Sequence, residues 1–198
     1  MELGTGCGVV PLVLAYRRRT RERIIGIEIQ PELARLAHQN VQENSFGDQI
    51  EIREMDLRQV SSCFSPESFD VVLANPPYRK SGTGRVNPNR QKAVARHELT
   101  ATLPDVFGSA RYLLPQGGRM ALIYPATRLV HLLHSAHEQG FSPKHFRAIY
   151  SYPNGPARLV HVECRKGGGE EIRIAPPFYI YRENGRYADA MLELYEDR

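Results

Sequence analysis

Apolar residues along the chain follow two spacings, which predict alternating strands and helices. Four short runs rich in branched side chains have the continuous apolar character of strands in a parallel sheet; they lie at residues 23–29, 50–55, 69–74 and 118–124. Between them, apolar residues recur at helical spacing over residues 9–16, 31–44 and 103–114. Pro31 suits a first helical turn, and Gly117 suits a helix end. The alternation predicts a doubly wound α/β fold.

The pattern continues after Arg128 with a predicted helix to about residue 139. Two further strands are expected at residues 145–152 and 158–166, on either side of a Pro-Asn-Gly turn. An extended segment, a Glu-Asn-Gly turn and a short amphipathic tail follow. The 198 residues contain no repeat and no clear linker, so we expect one domain over residues 1–198.

The start of the chain departs from this fold. A strand is expected before a glycine loop, yet only Met1, Glu2 and Leu3 precede Gly4. That first strand is normally central, so we expect it to be largely missing, with backbone groups of its neighbours left unpaired. The sequence therefore suggests a truncated or misassigned form of a longer protein.

The composition is that of an ordinary globular protein. Hydrophobic residues make up 41% of the chain and charged residues 24%, which argues against a disordered, collagen-like or coiled-coil protein. No apolar run reaches membrane-spanning length, and no export signal opens the chain. Cys7, Cys63 and Cys164 are scattered, as expected of reduced thiols. We expect a cytoplasmic protein without a membrane partner.

Positive charge is concentrated in one stretch. Residues 71–97 contain no acid but six cations, a density that would attract phosphates: Arg79, Lys80, Arg85, Arg90, Lys92 and Arg96. The charge cluster alone is equally typical of a solvated loop. It becomes a candidate RNA-binding segment because of the motif that precedes it.

Three polar or glycine-rich motifs follow predicted strands in order. Gly4, Gly6 and Gly8 stand directly before the first helix, where backbone could approach a ligand, although a tight turn is the simpler interpretation of such a loop alone. Glu28 ends the next strand and could accept hydrogen bonds from two ribose hydroxyls. Asp56 follows the third strand; alone it would be a loop cap, but here it could accept from an amino group of a base. Together the three motifs favour a nucleoside cofactor.

The fourth motif, Asn75-Pro76-Pro77-Tyr78, follows the fourth strand. The Asn75 side chain and the Pro76 main chain offer two carbonyl oxygens, held by a stiff Pro-Pro segment. Two such acceptors could hold an NH2 group so that its lone pair faces a methyl donor, while Tyr78 stacks on the planar group. A stiff turn is the alternative interpretation. We predict that Asn75→Ala would keep cofactor binding but lose most turnover.

"ELGTGCG", "GIEIQPELA", "DLRQV" and "LANPPY" resemble the signatures of class I S-adenosylmethionine-dependent methyltransferases that modify exocyclic nitrogens. "NPPYRKSG" and "AVARHELTATLPDVFGSARYLLPQGGRMALIY" are similar to the bacterial tRNA adenine-N6 methyltransferases that act beside the anticodon of a valine tRNA. The resemblance implies a Rossmann-like sheet, S-adenosylmethionine as cofactor, no metal, and tRNA as partner.

The resemblance also implies roles for single residues. It gives the catalytic role to Asn75, Pro76, Pro77 and Tyr78. It gives cofactor contacts to Glu2, Gly4, Thr5, Gly6, Gly8, Glu28, Ile29, Asp56, Leu57 and Asn75. Arg96, His97 and Glu98 match a stretch of this family without a defined role for His97 or Glu98.

Alternatives remain open. The same motif suits an N5-glutamine methyltransferase acting on a protein such as a release factor, and it resembles that of ribosomal-RNA guanine-N2 methyltransferases. A non-catalytic module that binds RNA or cofactor belongs to a different class.

Two further groups of residues invite hypotheses. His131, His134 and His137 rotate off a single helix face, so surface histidines are favoured over zinc ligands. Five aromatic residues could form a stacking platform for RNA bases, although core packing and strand propensity explain most of them equally well and are favoured: Tyr150, Tyr152, Phe178, Tyr179 and Tyr181.

Overall fold

A mixed sheet organises the protein, whose computed structural model describes residues 1–18, 22–76 and 101–195. The strands of these ranges are β1 Glu2–Leu3, β2 Ile24–Glu28, β3 Ile50–Glu54, β4 Val71–Ala74, β5 Arg119–Pro125, β6 Phe141–Tyr150, β7 Ala157–Lys166, β8 Arg173–Ile174 and β9 Phe178–Tyr179. Their order is β3-β2-β1-β4-β5-β7-β6-β8, with β9 also beside β6. Strands β1 to β5 are parallel, whereas β7 is antiparallel to both β5 and β6.

Helices cover both faces of the sheet. They are α1 Val9–Arg18, α2 Pro31–Glu43, α3 Val60–Cys63, α4 Leu103–Leu113, α5 Leu129–Glu138 and α6 Asp189–Leu192. Ile25 and Ile27 of β2 belong to one apolar cluster with Phe107 of α4, while Ile50 of β3 belongs to a second cluster with Ala37 of α2. Two cores on opposite faces of one sheet are the mark of a doubly wound α/β fold, which confirms the predicted fold class.

The predicted elements match those observed, with shifts at their ends. Pro31 begins α2 as expected, and a capping box, in which Thr102 and Asp105 each bond the other's backbone amide, begins α4. The sixth strand begins at Phe141, four residues before the predicted position. The alternation is interrupted there by a register shift between Pro143 and His145, which hides the start of the strand from a period-two pattern.

The first strand is present, although it contains only two residues. Glu2 and Leu3 pair with β2 on one side and with β4 on the other, and the Leu73 amide donates to the Met1 carbonyl at 2.8 Å. Leu3 is 1% exposed. The strand is therefore present but short, as expected of a first strand that is largely missing: it pairs with two of the five residues of β2 and with two of the four residues of β4. At these paired positions the neighbouring strands are not left without a partner, which corrects the expectation of unpaired neighbours there.

Burial of β1 changes the acidity of Glu2. The side chain is 3% exposed and accepts a hydrogen bond from the Thr5 hydroxyl. Burial raises the pKa of Glu2 from its ordinary 4.5 to about 7, and the Thr5 hydrogen bond opposes that rise. Folding therefore favours the protonated carboxyl. The resulting contribution of Glu2 to the free energy of unfolding is fully present below pH 4.5 and is lost as the pH rises through 7.

We expect Glu2→Gln to remove this pH dependence. Relative to the variant, the unchanged chain should lose up to about 3 kcal/mol of unfolding free energy between about pH 4.5 and 7.5. Denaturant unfolding of both proteins across this range measures the difference. Glu54→Gln, at an exposed position, is the control and should leave the pH profile unchanged. Parallel profiles for the unchanged chain and Glu2→Gln would contradict the assignment.

Candidate functional site

Three of the predicted site residues lie side by side at the carboxyl ends of the central strands. Leu3 of β1 is level with Ile27 of β2 and with Ala74 of β4. The residues that follow these three, Gly4, Glu28 and Asn75, therefore continue from adjacent strand ends, which are about 4.8 Å apart. The glycine loop, the candidate ribose acceptor and the first residue of the Asn-Pro-Pro-Tyr motif therefore lie at one edge of the sheet, the edge at which α/β sheets bind ligands.

The glycine loop combines unusual backbone conformations with close packing. Gly4 and Gly6 have φ of +74° and +57°, and a Cβ at either position would meet no atom within 4 Å. Glycine is favoured at these two positions by the positive φ and not by close packing. The space beside Gly4 and Gly6 is open to a ligand. Gly8 is constrained by contact instead, because a Cβ there would lie 3.2 Å from the Cβ of Ala37 in α2. The Asn40 side chain donates to the Cys7 carbonyl at 2.9 Å and fixes the loop to α2.

Glu28 connects this loop to the end of β2. Its carboxylate is 5% exposed and accepts hydrogen bonds from the Gly6 amide at 2.9 Å and from the Gln30 amide at 3.0 Å. The Gln30 side chain also donates to this carboxylate at 3.4 Å. A carboxylate has about four acceptor positions, so these three bonds leave about one position for a ribose hydroxyl. The ribose contact stays a prediction, whereas the role of Glu28 in holding the loop is directly visible.

The Glu2 and Thr5 side chains support the glycine loop on its buried side. Both side chains are buried, and the Thr5 hydroxyl donates to the Glu2 carboxyl. Thr5 also packs tightly on β2, because a Cβ at Gly26 would lie 2.9 Å from the Thr5 Oγ1. This arrangement explains why a glycine interrupts an otherwise branched strand: it makes room for Thr5.

Asp56 caps the 3-10 turn Leu57–Gln59 at the end of β3. It accepts a hydrogen bond from the Arg58 amide at 2.9 Å and forms an ion pair with the Arg58 guanidinium. The hydrogen bonds from Arg58 lower the pKa of Asp56. The capping role is therefore confirmed, and Arg58 is a partner that the sequence interpretation missed. An aspartate followed two residues later by an arginine was the available signal.

The remaining cofactor candidates lie near these groups. Leu57 is half-buried, and its carbonyl accepts from the Ser109 hydroxyl of α4 at 2.8 Å. Ile29 is half-buried in the bend after β2. Their contacts with a cofactor stay predictions.

The Asn-Pro-Pro-Tyr motif is described only at its start. Asn75 is exposed and Pro76 is buried. Pro77 and Tyr78 lie outside the described residues. So do the candidate RNA-binding cations Arg79, Lys80, Arg85, Arg90, Lys92 and Arg96, together with His97 and Glu98.

Two further sequence hypotheses can be compared with the structure. His131, His134 and His137 are exposed on α5, and within residues 1–18, 22–76 and 101–195 no group of three or more metal-ligating side chains could hold an ion. The same ranges contain no helix that is long and apolar enough to cross a membrane.

The aromatic residues near the end of the chain are not core residues. Tyr152 is exposed, and the other four are only half-buried: Tyr150, Phe178, Tyr179 and Tyr181. Packing in the buried core therefore does not explain them, whereas strand propensity does apply to Tyr150 of β6 and to Phe178 and Tyr179 of β9. The extended backbone at the edge of the sheet leaves these side chains without a covering layer in the described ranges.

Comparison with known proteins agrees with this architecture. A family model described as Methyltransferase domain matches residues 1–157. A tRNA1(Val) (adenine(37)-N6)-methyltransferase of Porphyromonas gingivalis is 39% identical over 131 residues, which are 65% of this chain and 50% of that protein. The protein of the same name from Parabacteroides distasonis is 26% identical over 166 residues, 82% of this chain and 67% of its own.

The chain thus spans about half of the length of the first of these relatives. Among solved structures, a predicted O-methyltransferase from Agrobacterium tumefaciens has a TM-score of 0.77 at 20% identity and covers 98% of this chain and 86% of its own. That likeness supports the fold. Because the family model covers most of the sequence, the chain belongs to the methyltransferase-domain family.

Proposed function

We propose that this protein transfers a methyl group from S-adenosylmethionine to the exocyclic N6 of an adenine in tRNA, beside the anticodon of a valine tRNA. The observation that carries the proposal is the row formed by Gly4, Glu28 and Asn75 at adjacent strand ends. The names of the two bacterial relatives support the substrate class. The cation-rich segment after Tyr78 favours RNA over protein as the methyl acceptor.

The open side of the glycine loop fits the cofactor. Gly4 and Gly6 would approach its methionine part, Glu28 would accept from its ribose, and Asp56 with the Leu57 backbone would meet its adenine. Glu2 and Thr5 would hold the loop in place. When bound, S-adenosylmethionine supplies the electrophile, a methyl group on a sulfonium. The residues present therefore match the polar groups of this cofactor along one crevice.

The chemistry required of the protein is orientation of a weak nucleophile. The N6 lone pair of adenine is delocalised into the ring, so the nitrogen attacks poorly unless its geometry is fixed. The Asn75 side-chain oxygen and the Pro76 carbonyl would accept its two hydrogens, and Tyr78 would stack on the base. Positioning of this kind contributes most of the rate acceleration. The bond from N6 to the methyl carbon would form as the bond from that carbon to the sulfonium sulfur breaks, so that the sulfur leaves as a neutral thioether, and the amino proton would then pass to water.

We expect Asn75→Ala to lower turnover by at least about 100-fold, because misplacement of a reacting group by about 1 Å has an effect of that size. Affinity for S-adenosylmethionine should stay within about twofold. Single-turnover methylation of unmodified valine tRNA and calorimetric titration of the cofactor measure the two quantities. Asn44→Ala, at the exposed C-terminal end of α2, is the matched control. Unchanged turnover in Asn75→Ala would contradict the proposed role.

We expect Glu28→Gln to weaken S-adenosylmethionine binding by about 10-fold, since hydrogen bonds to charged groups contribute about 1.5–3 kcal/mol. The amide keeps the shape of the side chain but accepts at one oxygen only. Glu54→Gln is the control, because Glu54 is the neighbour of Glu28 in the sheet and is exposed. Equal affinity of the unchanged chain and Glu28→Gln would remove Glu28 from the proposed cofactor site.

The acceptor is tested by transfer of labelled methyl groups to total tRNA and to total protein from cells that lack the gene. We expect label in tRNA, recovered as N6-methyladenosine. Label in glutamine of a protein would support the N5-glutamine alternative, and label in guanine of ribosomal RNA the guanine-N2 alternative. Binding of RNA without any transfer would indicate a non-catalytic module.

A further inference from the structure

A stack of tyrosine rings extends from the end of β6. The ring centroids of Tyr152 and Tyr181 are 5.4 Å apart, those of Tyr181 and Tyr187 are 5.3 Å apart, and those of Tyr187 and Tyr195 are 6.1 Å apart. The first two pairs are stacked, with interplanar angles of 29° and 12°. We call these four residues the tyrosine ladder. Tyr187 and Tyr195 are members that the sequence interpretation missed.

Backbone pairing sets the spacing of the ladder. The Tyr181 amide donates to the Ser151 carbonyl at 2.9 Å, and Tyr181 in turn pairs with Tyr187 in an antiparallel bridge. Neighbouring strands are about 4.8 Å apart, so rings on the same face of such segments stack at nearly that distance. The turn between Tyr181 and Tyr187 is closed by Gly185, which has φ of +78°. The rings are thus held in place before any ligand arrives.

The ladder is exposed although it is aromatic. Tyr152 is 46% exposed, Tyr187 41% and Tyr195 66%. These rings are absent from both apolar clusters of the described residues, so packing in the core does not explain their arrangement. Ordered, solvent-facing aromatic rings with polar hydroxyl groups are typical of surfaces that bind a planar partner.

The strand register places the ladder on the same edge of the sheet as the candidate site. Pro125 at the end of β5 is level with Leu159 of β7, and Tyr150 at the end of β6 is level with Ala157 at the start of β7. The end of β6 therefore lies at the edge from which Asn75 emerges. Three strand spacings separate β4 from β6, which is about 14 Å across the sheet, and the register places Tyr152 about five residues, or about 16 Å, farther along the strand direction than Asn75. By strand order, Tyr152 is the ladder residue nearest to Asn75, and the other members lie progressively farther away.

We propose that the tyrosine ladder stacks unpaired bases of the substrate RNA that lie a few nucleotides from the target adenine, with Tyr152 as the first contact. This inference rests on the proposed function. A loop nucleotide held at Asn75 must be accompanied by its neighbours, and unpaired bases are bound on aromatic side chains in this way. The ladder therefore extends the RNA site across the sheet from Asn75, on the far side of β5 and β7.

The charges around the ladder favour contact with bases over contact with phosphates. Residues 178–195 contain two arginines and three acids, and Arg182 is paired with Asp189. Glu183 accepts from the Asn154 side chain at 2.7 Å. Such a surface offers little excess positive charge. Binding to the ladder should therefore depend on the rings and add nothing to the salt dependence of RNA binding.

The test is binding of a synthetic valine-tRNA anticodon stem-loop with an unmodified adenine 37, the position in the relatives' name. Fluorescence anisotropy on the full chain gives the affinity at several salt concentrations. We expect Tyr152→Ala to weaken binding by about 10-fold with an unchanged salt slope, and Tyr152→Phe to bind like the unchanged chain. Tyr195→Ala should have a smaller effect in the same direction. Tyr16→Ala, at an exposed tyrosine of α1, is the control and should bind normally.

Equal affinity of Tyr152→Ala and the unchanged chain would overturn the inference, as would an equal loss in Tyr152→Phe. A loss accompanied by a flatter salt slope would assign the contact to phosphates and overturn it as well. The affinity of Tyr152→Ala is interpreted only if this variant keeps the melting temperature of the unchanged chain. If its melting temperature falls, the affinity of Tyr195→Ala tests the ladder independently. Binding is measured without cofactor, so a chain that binds through the ladder but transfers no methyl group would contradict only the proposed function. A chain that binds no stem-loop overturns the ladder.

Discussion

The pairing of a two-residue strand in the centre of the sheet determines the geometry of the candidate site. Glu2 and Leu3 lie between β2 and β4 and set both neighbouring registers. A shift of one residue in either register would move Gly4 away from Glu28 or from Asn75. Burial of this short strand has a cost, because a carboxyl lies within it and its pKa rises to about 7. The Thr5 hydroxyl offsets part of that cost and connects the strand to the loop above it.

The glycine loop depends on three neighbouring elements that hold it from different sides. Glu28 accepts from the Gly6 amide, Asn40 donates to the Cys7 carbonyl, and Ala37 packs where a Gly8 side chain would lie. The loop is therefore fixed before a ligand binds, and it keeps an open surface at Gly4 and Gly6. Pre-organisation of this kind lowers the ordering cost of binding. The proposed binding of the cofactor depends on this pre-organised glycine loop more than on any single side chain.

Much of this arrangement could be predicted from the sequence, because strand ends carry the polar residues. The order of Gly4, Glu28, Asp56 and Asn75 along the chain predicted their placement at one edge of the sheet, since parallel strands end at one edge. Three features could not be predicted in the same way. The pairing of β1 involves only two residues, which are too few to show the alternation of apolar and polar side chains that predicts a strand. The Arg58 partner of Asp56 depends on a side-chain conformation, and the ring stack depends on backbone pairing between segments about 30 residues apart, as Tyr152 and Tyr181 are.

The Asp56–Arg58 pair has a consequence for how a bound nucleoside would leave the protein. The carboxylate already has a cationic partner in Arg58. At the proposed cofactor site, an amino group of the base would share or displace the hydrogen bonds from Arg58, and it would gain only the difference between those bonds and its own. Such a contact would select among bases without holding any of them tightly, which suits the exchange of spent for fresh cofactor that the proposed function requires.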